Sequence, residues 1–254
     1  MFNYTNNDTN KLNQLLVLSE TSTEQRTTDW YTTRKKYLTS SDLGSVLGLN
    51  KYETRETVLF KKCGMSSNFK ENVATQHGNY YEQEAINMYC SITNRTSFSL
   101  GLVDYSTIHG QNNTIGNGIN LSFLAGSVDG ISVLSEYPTT SSICHHESIL
   151  SVLEVKCPYR RKIIHGQIPE YYYPQIQMNM HILDIPYGDY VEYIPKGLWG
   201  KKECEMNIVR VYKDDQWLYN VTPVLYEFWN DVLYYTEHGI HNHPKYTFYL
   251  NKYK

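Results

Sequence analysis

The spacing of apolar and polar positions along the chain predicts both helices and strands. Apolar residues recur at helical intervals in segments 11–18, 28–36, 55–62, 77–89, 171–183 and 214–236. Alternating or short continuous apolar runs predict strands at 98–105, 121–126, 153–157, 189–194 and 207–212. With 254 residues the chain can bury a sizeable core. We expect a single domain, with an N-terminal helical extension (1–26), a core (28–236) and a C-terminal tail (237–254). The pattern of apolar and polar positions predicts no structure for the tail.

The predicted strand around Glu154 carries charge on one face. Side chains alternate between the two faces of a strand, so Glu154 and Lys156 point to one side while Leu153, Val155 and Cys157 point to the other. A carboxylate and an ammonium beside an apolar face are costly to bury unless they pair with each other, with a metal or with a substrate. This stretch is therefore the first candidate for a functional site.

Asp129 provides a second carboxylate. It follows the predicted strand at 121–126 and precedes Gly130, a residue suited to a turn. If that strand pairs with the strand of Glu154, the two carboxylates converge, and together they can hold a hard divalent cation while Lys156 orients or deprotonates a water molecule. Such an arrangement cleaves phosphodiesters. The alternative is a solvated cross-strand ion pair, the commoner role of an isolated Glu-x-Lys.

The charge balance narrows the classes of nucleic-acid protein that fit. A net charge of -3 argues against a protein that coats nucleic acid through bulk electrostatics. A nuclease remains compatible, because an acidic metal cluster lowers the net charge while its phosphate contacts stay local. Basic runs at 34–36, 61–62 and 160–162 can make such contacts, although a solvated helix end or loop is the default role of each.

We expect a soluble, intracellular protein with reduced thiols. No stretch approaches the roughly 18 uninterrupted apolar residues that a membrane span needs, and the first residues lack a basic-then-apolar signal pattern. The five cysteines are widely spread and form no C-x-x-C pair. Segment 144–147 (Cys-His-His-Glu) has the composition of a zinc site but no matching second ligand pair, which favours a surface loop at 136–148.

Five ordered motifs lie between residues 30 and 212. They are Trp30 to Arg34 with Leu38 to Tyr52, Gly78-Asn79-Tyr80-Tyr81-Glu82, Ala125-Gly126-Ser127-Val128-Asp129-Gly130, Leu153-Glu154-Val155-Lys156-Cys157-Pro158, and Tyr172 to Met180. In this order they resemble the lambda-exonuclease/YqaJ-type viral recombinase branch of the PD-(D/E)xK nuclease superfamily. Val128 and Lys51 stand where that family usually has Pro. Independent motifs in one order make coincidence an inadequate explanation.

The resemblance implies a fold and a metal site. The fold is α/β (α+β), with a PD-(D/E)xK restriction-endonuclease-like core in which helices flank a central mixed β-sheet. The implied cofactor is Mg²⁺, with Mn²⁺ as a substitute. Its implied ligands are Asp129, Glu154, the main-chain carbonyl of Val155 and Glu82, with Glu84 as the fallback for Glu82.

The resemblance also implies roles in catalysis and in DNA binding. Lys156 and Gln175 are expected to position the attacking water. Arg34 and Ser41 are expected to hold the terminal 5′-phosphate of a DNA end, and Tyr172 to approach the DNA backbone.

The implied activity is a metal-dependent deoxyribonuclease that digests one strand from a duplex end in the 5′-to-3′ direction, in viral or phage-type recombination, repair or genome processing. Its partners would be double-stranded DNA ends and a protein that anneals the exposed strand, in the host cytoplasm or nucleus if the protein is viral. Some relatives form rings, so a homo-oligomer is compatible. Two alternatives stay open: an endonuclease of the same superfamily, and a DNA-end-binding or host-interaction protein with secondary catalysis.

Overall fold

A computed structural model of the chain describes residues 6–65, 72–115, 118–135 and 149–252. The helices in these ranges are α1 (Asn6–Thr21), α2 (Thr28–Arg34), α3 (Leu43–Val46), α4 (Arg55–Lys62), α5 (Val73–Thr93), α6 (Tyr105–His109), α7 (Tyr173–Leu183), α8 (Asp215–His238) and α9 (Tyr246–Lys252). The strands are β1 (Leu38–Thr39), β2 (Arg95–Phe98), β3 (Val103–Asp104), β4 (Thr114–Ile115), β5 (Ile119–Asn120), β6 (Leu124–Gly126), β7 (Gly130–Leu134), β8 (Leu150–Lys156), β9 (Tyr187–Ile194) and β10 (Glu205–Tyr212).

A mixed sheet forms the centre of the fold. Its strand order is β10-β9-β8-β7-β2, in which β8 and β9 run parallel and the other neighbours run antiparallel. A smaller sheet has the order β1-β6-β3, and β4 pairs with β5. The expected central mixed sheet flanked by helices is therefore confirmed.

Helices cover both faces of the central sheet. On one face, Ala85 and Tyr89 of α5 pack with Leu153, Val155 and Tyr193 of the sheet. On the other face, α7 contributes to the larger apolar cluster and is buried along almost its whole length. This burial includes the polar side chains of Gln177, Asn179 and His181, because α7 is enclosed by the sheet, α3, α6 and α8. Each large apolar side chain buried there contributes roughly 1.5–3 kcal/mol.

Local signals place most of the helices where the pattern predicts them. Thr54 caps α4, its hydroxyl accepting from the backbone N–H of Thr57, and Gly64 beyond the helix has a φ of 88°. Only Gly readily adopts such a backbone, so this helix ends as the sequence indicates. Beyond α8, the uninterpreted tail forms α9, where Tyr249 is buried and stacks on Phe60 at a ring distance of 4.3 Å.

The strand predicted at 98–105 is wrong over most of its length. β2 ends at Phe98, and the chain re-enters a strand only at β3. Between them, Gly101 passes so close to the segment after α1 that an added Cβ would lie 2.2 Å from the carbonyl oxygen of Thr23. Asp104 then caps α6 by accepting from the N–H of Thr107. The close packing at Gly101 and the cap at Asp104 therefore prevent the apolar residues of this segment from forming one continuous strand.

Two further expectations concern membrane and cysteine chemistry. No helix in the described part of the chain is long and apolar enough to cross a membrane. The cysteines at 63, 90, 157 and 204 carry free thiols, as expected. Cys144 and the zinc interpretation of segment 144–147 lie outside the described residues.

Candidate active site

Glu154 and Lys156 lie on the same face of β8, as the alternation along the strand predicts. Glu154 has no exposed surface, and the Lys156 ammonium donates to its carboxylate. Leu153 and Val155 point the other way and pack with Val191 beneath α5. Because the carboxylate is completely buried, this is not the solvated cross-strand ion pair that the sequence left as an alternative.

Asp129 joins this pair through β7. The strand that precedes Asp129, β6, belongs to the smaller sheet, so the carboxylates do not converge through a pairing of that strand with β8. Gly130 instead opens β7, which runs antiparallel to β8 and pairs Gly130 with Leu153. The backbone N–H of Val155 donates to Asp129 Oδ2 at 2.7 Å, and Lys156 Nζ lies 3.8 Å from the same oxygen. The two carboxylates therefore converge around one ammonium group.

Glu82 brings a third carboxylate to the site. It lies on α5, lines the same pocket as Asp129 and forms an ion pair of 2.6 Å with Arg26. Glu84 is two positions further along, about 200° around the helix, and accepts a hydrogen bond from Tyr193. The geometry therefore favours Glu82 over the fallback Glu84.

Asp129, Lys156 and Glu82 line a pocket with a volume of about 230 Å³, whereas the fully buried Glu154, which contacts Lys156, is not among its lining residues. Its lining residues are Ala74, Thr75, Gly78, Asn79, Glu82, Asp129, Val155, Lys156, Cys157, Pro158, Arg161 and Tyr172. The first turns of α5, the end of β8 and the chain that follows β8 thus form its walls. Gln175 lies half-buried near the start of α7 and is not among the lining residues.

Asn179 of α7 contacts Glu154 from the side of the core, and the sequence did not single it out. Its Nδ2 donates to Glu154 Oε2 at 3.2 Å. Its Oδ1 is buried and has no hydrogen-bond partner within the described ranges. Gly126 makes room for this amide, since an added Cβ there would lie 2.4 Å from Oδ1. Gln177 and His181 are also polar and buried on α7, so the local pattern of the sequence does not set Asn179 apart from them.

Ionisation of Glu154 and of Glu82 is unfavourable in this site, because both carboxyl groups have a raised pKa. Burial raises the pKa of Glu154 to about 8; Asp129 and Glu82 act in the same direction and Lys156 opposes them. Burial also raises the pKa of Glu82, again with Asp129 adding to the effect and Arg26 opposing it. Both shifts mean that additional positive charge in the pocket would stabilise the ionised carboxylates.

The donor set suits a hard divalent cation. In the part of the chain that the structure describes, no group of three His, Cys, Asp or Glu side chains forms a ready-made metal cluster. Lys156 and Arg26 neutralise the carboxylates instead. The available ligand atoms are nevertheless all oxygen, and Mg²⁺ and Mn²⁺ prefer oxygen ligands. The raised carboxyl pKa values and the unpartnered Oδ1 of Asn179 beside Glu154 agree with such an ion.

The predicted phosphate-binding residues meet at a second location. Arg34, at the end of α2, donates to the hydroxyls of Ser41 at 2.7 Å and Thr39 at 3.1 Å. Its guanidinium stacks over the Trp30 ring at 4.3 Å. Trp30 Nε1 in turn donates to Ser127 Oγ at 3.0 Å, two residues before Asp129. One aromatic side chain thus connects this polar group to the turn that carries Asp129.

Lys62 of α4 also contacts this second location; the sequence named it only as part of the basic run 61–62 and did not predict these partners. Its ammonium lies 2.8 Å from Asp42 and donates to the carbonyl oxygens of Arg34 at 3.2 Å and Tyr37 at 2.7 Å. Asp42 accepts from the N–H and hydroxyl of Thr39 in a capping box. Lys62 therefore joins the end of α2 to the turn that presents Ser41.

Tyr172 lies between the basic side chains of the pocket. Lys156 Nζ is 5.2 Å and Arg161 Cζ 5.7 Å from the centre of its ring. An electron-rich ring at these distances attracts both cations. Tyr172 also packs against Tyr190 at a ring distance of 5.9 Å. Its predicted proximity to the DNA backbone is compatible with this position.

The fold has a known counterpart. It is similar to the alkaline exonuclease LHK-Exo from Laribacter hongkongensis, with a TM-score of 0.59 and 19% identity over 84% of this chain and 95% of that chain. The structure of LHK-Exo in complex with dAMP matches with a TM-score of 0.60 and the same identity and coverage. The fold is therefore that of this alkaline exonuclease.

The chain belongs to the YqaJ-like viral recombinase domain family, whose pattern matches residues 29–185, more than half of the chain. The family predicted from the motifs is confirmed, and every residue predicted for the metal and phosphate sites lies in the matched range.

Viral proteins are among the relatives. The chain is 27% identical to an uncharacterized protein of Acanthamoeba polyphaga mimivirus over 175 residues, which cover 66% of this chain and 29% of that protein. It is 28% identical to a protein of African swine fever virus over 191 residues, which cover 69% of this chain and 51% of that protein. The chain therefore spans about half of the second relative and less of the first.

Proposed function

We propose that this chain is a metal-dependent deoxyribonuclease that digests one strand of double-stranded DNA from its ends in the 5′-to-3′ direction. The observation that carries the proposal is the convergence of Asp129 and the buried Glu154 on Lys156, which lines the pocket together with Asp129. Membership of the YqaJ-like viral recombinase domain family and the fold shared with an alkaline exonuclease support it. The dAMP bound to LHK-Exo supports DNA as the substrate class.

The proposed cofactor is Mg²⁺, with Mn²⁺ as a substitute. Asp129, Glu154, Glu82 and the main-chain carbonyl of Val155 would hold it. When bound, such an ion polarises a phosphoryl oxygen and lowers the pKa of a water molecule. Burial, with repulsion from Asp129 adding to it, raises the pKa of Glu154 and of Glu82, so positive charge at these carboxylates would favour their ionised form.

Side chains of the pocket and of the second location around Arg34 would then position the reactants. Lys156, held by two carboxylates, presents N–H donors to the attacking water or the scissile phosphate, and Gln175 assists from α7. Arg34 and Ser41 hold the terminal 5′-phosphate, because a guanidinium and a hydroxyl that already contact each other form a preorganised anion site. Tyr172 contacts the DNA backbone at the pocket wall.

The wider setting is proposed from the family. We propose that residues 1–254 act as a single nuclease domain in viral recombination, repair or genome processing, inside the host cell. We also predict a partner protein that anneals the exposed strand. Assembly into a homo-oligomer is a further prediction.

Product analysis on three DNA substrates tests the proposal. Linear duplexes with and without a 5′-phosphate and a closed circle are incubated with the protein in Mg²⁺, in Mn²⁺ and in EDTA. We expect metal-dependent loss of the 5′-phosphorylated strand of the linear duplex, release of mononucleotides and an intact circle. Nicking of the circle would instead assign an endonuclease of the same superfamily. Tight binding of DNA ends without turnover in either metal would assign a DNA-end-binding protein.

A further inference from the structure

A buried carboxylate next to the site has no role in the chemistry proposed above. Glu192 is 1% exposed and lies on β9, directly opposite Lys156 of β8 in the strand register. Burial of a carboxylate is costly unless it is paired. Arg161 provides the ionic partner, and Tyr190 donates its hydroxyl to the same carboxylate at 3.0 Å. Asn207 also donates to this carboxylate, at 3.4 Å, so among the described residues the buried anion has Arg161 as its ionic partner and two neutral donors.

Arg161 is held at the wall of the active-site pocket. It lines the pocket together with Asp129 and Lys156, and its side chain is 24% exposed. Both of its protein contacts, to Glu192 and to the Tyr190 hydroxyl, use Nη2. Within the described ranges, no protein hydrogen-bond partner is found for its Nε or Nη1. A guanidinium has five N–H donors, so most of them remain for a ligand in the pocket.

The neighbours of Arg161 in the same basic run differ from it. Arg160 and Lys162 are exposed, whereas Arg161 is half-buried beneath Tyr172. Among the residues that line the pocket, Lys156 and Arg161 are the cations, and Lys156 is shared between Glu154 and Asp129. Lys156 thus pairs with two proposed metal ligands, whereas Arg161 pairs with Glu192, which is not one of them.

We propose that Arg161, fixed by the buried Glu192 and by Tyr190, is a substrate-binding residue that contacts a backbone phosphate of DNA inside the active-site pocket. The proposal rests on the proposed function and extends it, because Arg34 lies outside this pocket. A preorganised guanidinium loses little conformational entropy on binding, and its planar fork matches two phosphate oxygens. Glu192 acts through Arg161 and is a positioning residue.

Binding measured without cleavage tests the role of Arg161. The affinity for a 5′-phosphorylated linear duplex is measured in EDTA over a series of salt concentrations. Each phosphate contact contributes about 0.9 to the slope of log affinity against log salt. We expect Arg161→Gln to lower the affinity by about tenfold or more and the slope by about 0.9. Arg161→Lys should retain the slope and recover only part of the affinity, because Lys lacks the bidentate fork.

A double variant separates binding from folding. Arg161→Gln leaves Glu192 buried without its ionic partner, which destabilises the protein. In Arg161→Gln combined with Glu192→Gln, both charges are removed, so we expect folding to be restored while affinity and slope stay low. Glu192→Gln alone should retain the slope and lose part of the affinity. Arg160→Gln and Lys162→Gln are the matched controls for an exposed charge of the same run.

The outcomes distinguish this inference from the proposed function. If the wild type digests DNA and Arg161→Gln changes affinity and slope no more than Arg160→Gln, the inference is wrong and the function stands. If the wild type binds DNA without cleaving it and the Arg161 effects appear, the function is wrong and the phosphate contact stands. Absence of DNA binding by the wild type would overturn both.

Discussion

The two regions that the proposed function uses are built in opposite ways. The carboxylate site takes Glu82 from α5, Asp129 from the start of β7 and Glu154 and Lys156 from β8. The phosphate-binding region places Arg34 against Ser41, only seven positions along the chain. The first therefore depends on strand register over long sequence distances, whereas the second forms mainly from one helix end and the turn after it.

The two regions also differ in how their carboxyl groups are compensated. Burial raises the pKa of Glu154 to about 8, so the carboxylate site favours additional positive charge. At Asp42 burial acts in the same direction, yet Lys62 and Arg34 overcome it and lower the pKa. The carboxylate site is therefore suited to an added cation. In the phosphate-binding region, Lys62 and Arg34 already compensate the charge of Asp42, and Arg34 is the group proposed to contact an anion. The same residue types thus form sites of opposite preference.

The largest effect is expected at the ammonium of the carboxylate site. Lys156→Ala should reduce kcat for the linear duplex by about 10² to 10⁴, because it removes the group that positions the attacking water. Single-turnover digestion of a 5′-phosphorylated duplex measures the loss. The exposed Lys162→Ala is the control and should digest at the wild-type rate. Equal activity of the two variants would mean that the carboxylate site does not perform the reaction.

The pH dependence of stability tests whether ionisation of the buried Glu154 destabilises the folded protein. Because the folded pKa of Glu154 is raised above its ordinary value of 4.5, its contribution favours the folded state below that value and is lost as pH rises through about 8. In EDTA, we expect the stability of Glu154→Gln relative to wild type to rise with pH across this window, by several kcal/mol in order of magnitude. Urea unfolding between pH 5 and 9 measures it. A constant difference would contradict the assignment.

The phosphate-binding region should show its effect in substrate discrimination. Arg34→Gln should lower kcat/KM for a 5′-phosphorylated end by about 10- to 100-fold and leave a 5′-hydroxyl end nearly unchanged, since it removes a charge-assisted hydrogen bond to the phosphate alone. The ratio of the two kcat/KM values is the measurement, and the exposed Lys35→Gln is the control. An equal loss on both ends would show that Arg34 acts on the fold and not on the phosphate.

The smallest effect is expected from Lys62, which contacts Asp42 in the phosphate-binding region from a different helix. Lys62→Met should lower the free energy of unfolding by about 1–3 kcal/mol near pH 7, because Asp42 loses its closest cation. Since the folded pKa of Asp42 is lowered, this contribution is present above the ordinary value of 3.8 and is lost as pH falls through the folded value. Urea unfolding measures the difference. Lys61→Met, which removes an exposed pair with Glu53, should change stability by less than about 1 kcal/mol.

Local chemistry explains which expectations from the sequence were confirmed. The caps at Thr54 and Gly64 and the alternation of Glu154 and Lys156 depend on neighbouring residues, and these features appear as predicted. The strand expected at 98–105 failed where a tertiary contact at Gly101 replaced pairing. The contacts of Asn179 with Glu154 and of Lys62 with Asp42 were not predicted, because the partners lie far apart in the chain.

The sequence by itself determined the family, the mixed α/β class and the order of the motifs, because periodicity, caps and motif spacing are written into neighbouring residues. The tertiary structure alone decided which strand brings Asp129 to Glu154, that Glu82 and not Glu84 lines the pocket, and that Glu192 pairs with Arg161. Strand register and burial set these contacts, and both depend on how distant segments pack. A residue's nearest neighbours in the sequence do not contain that information.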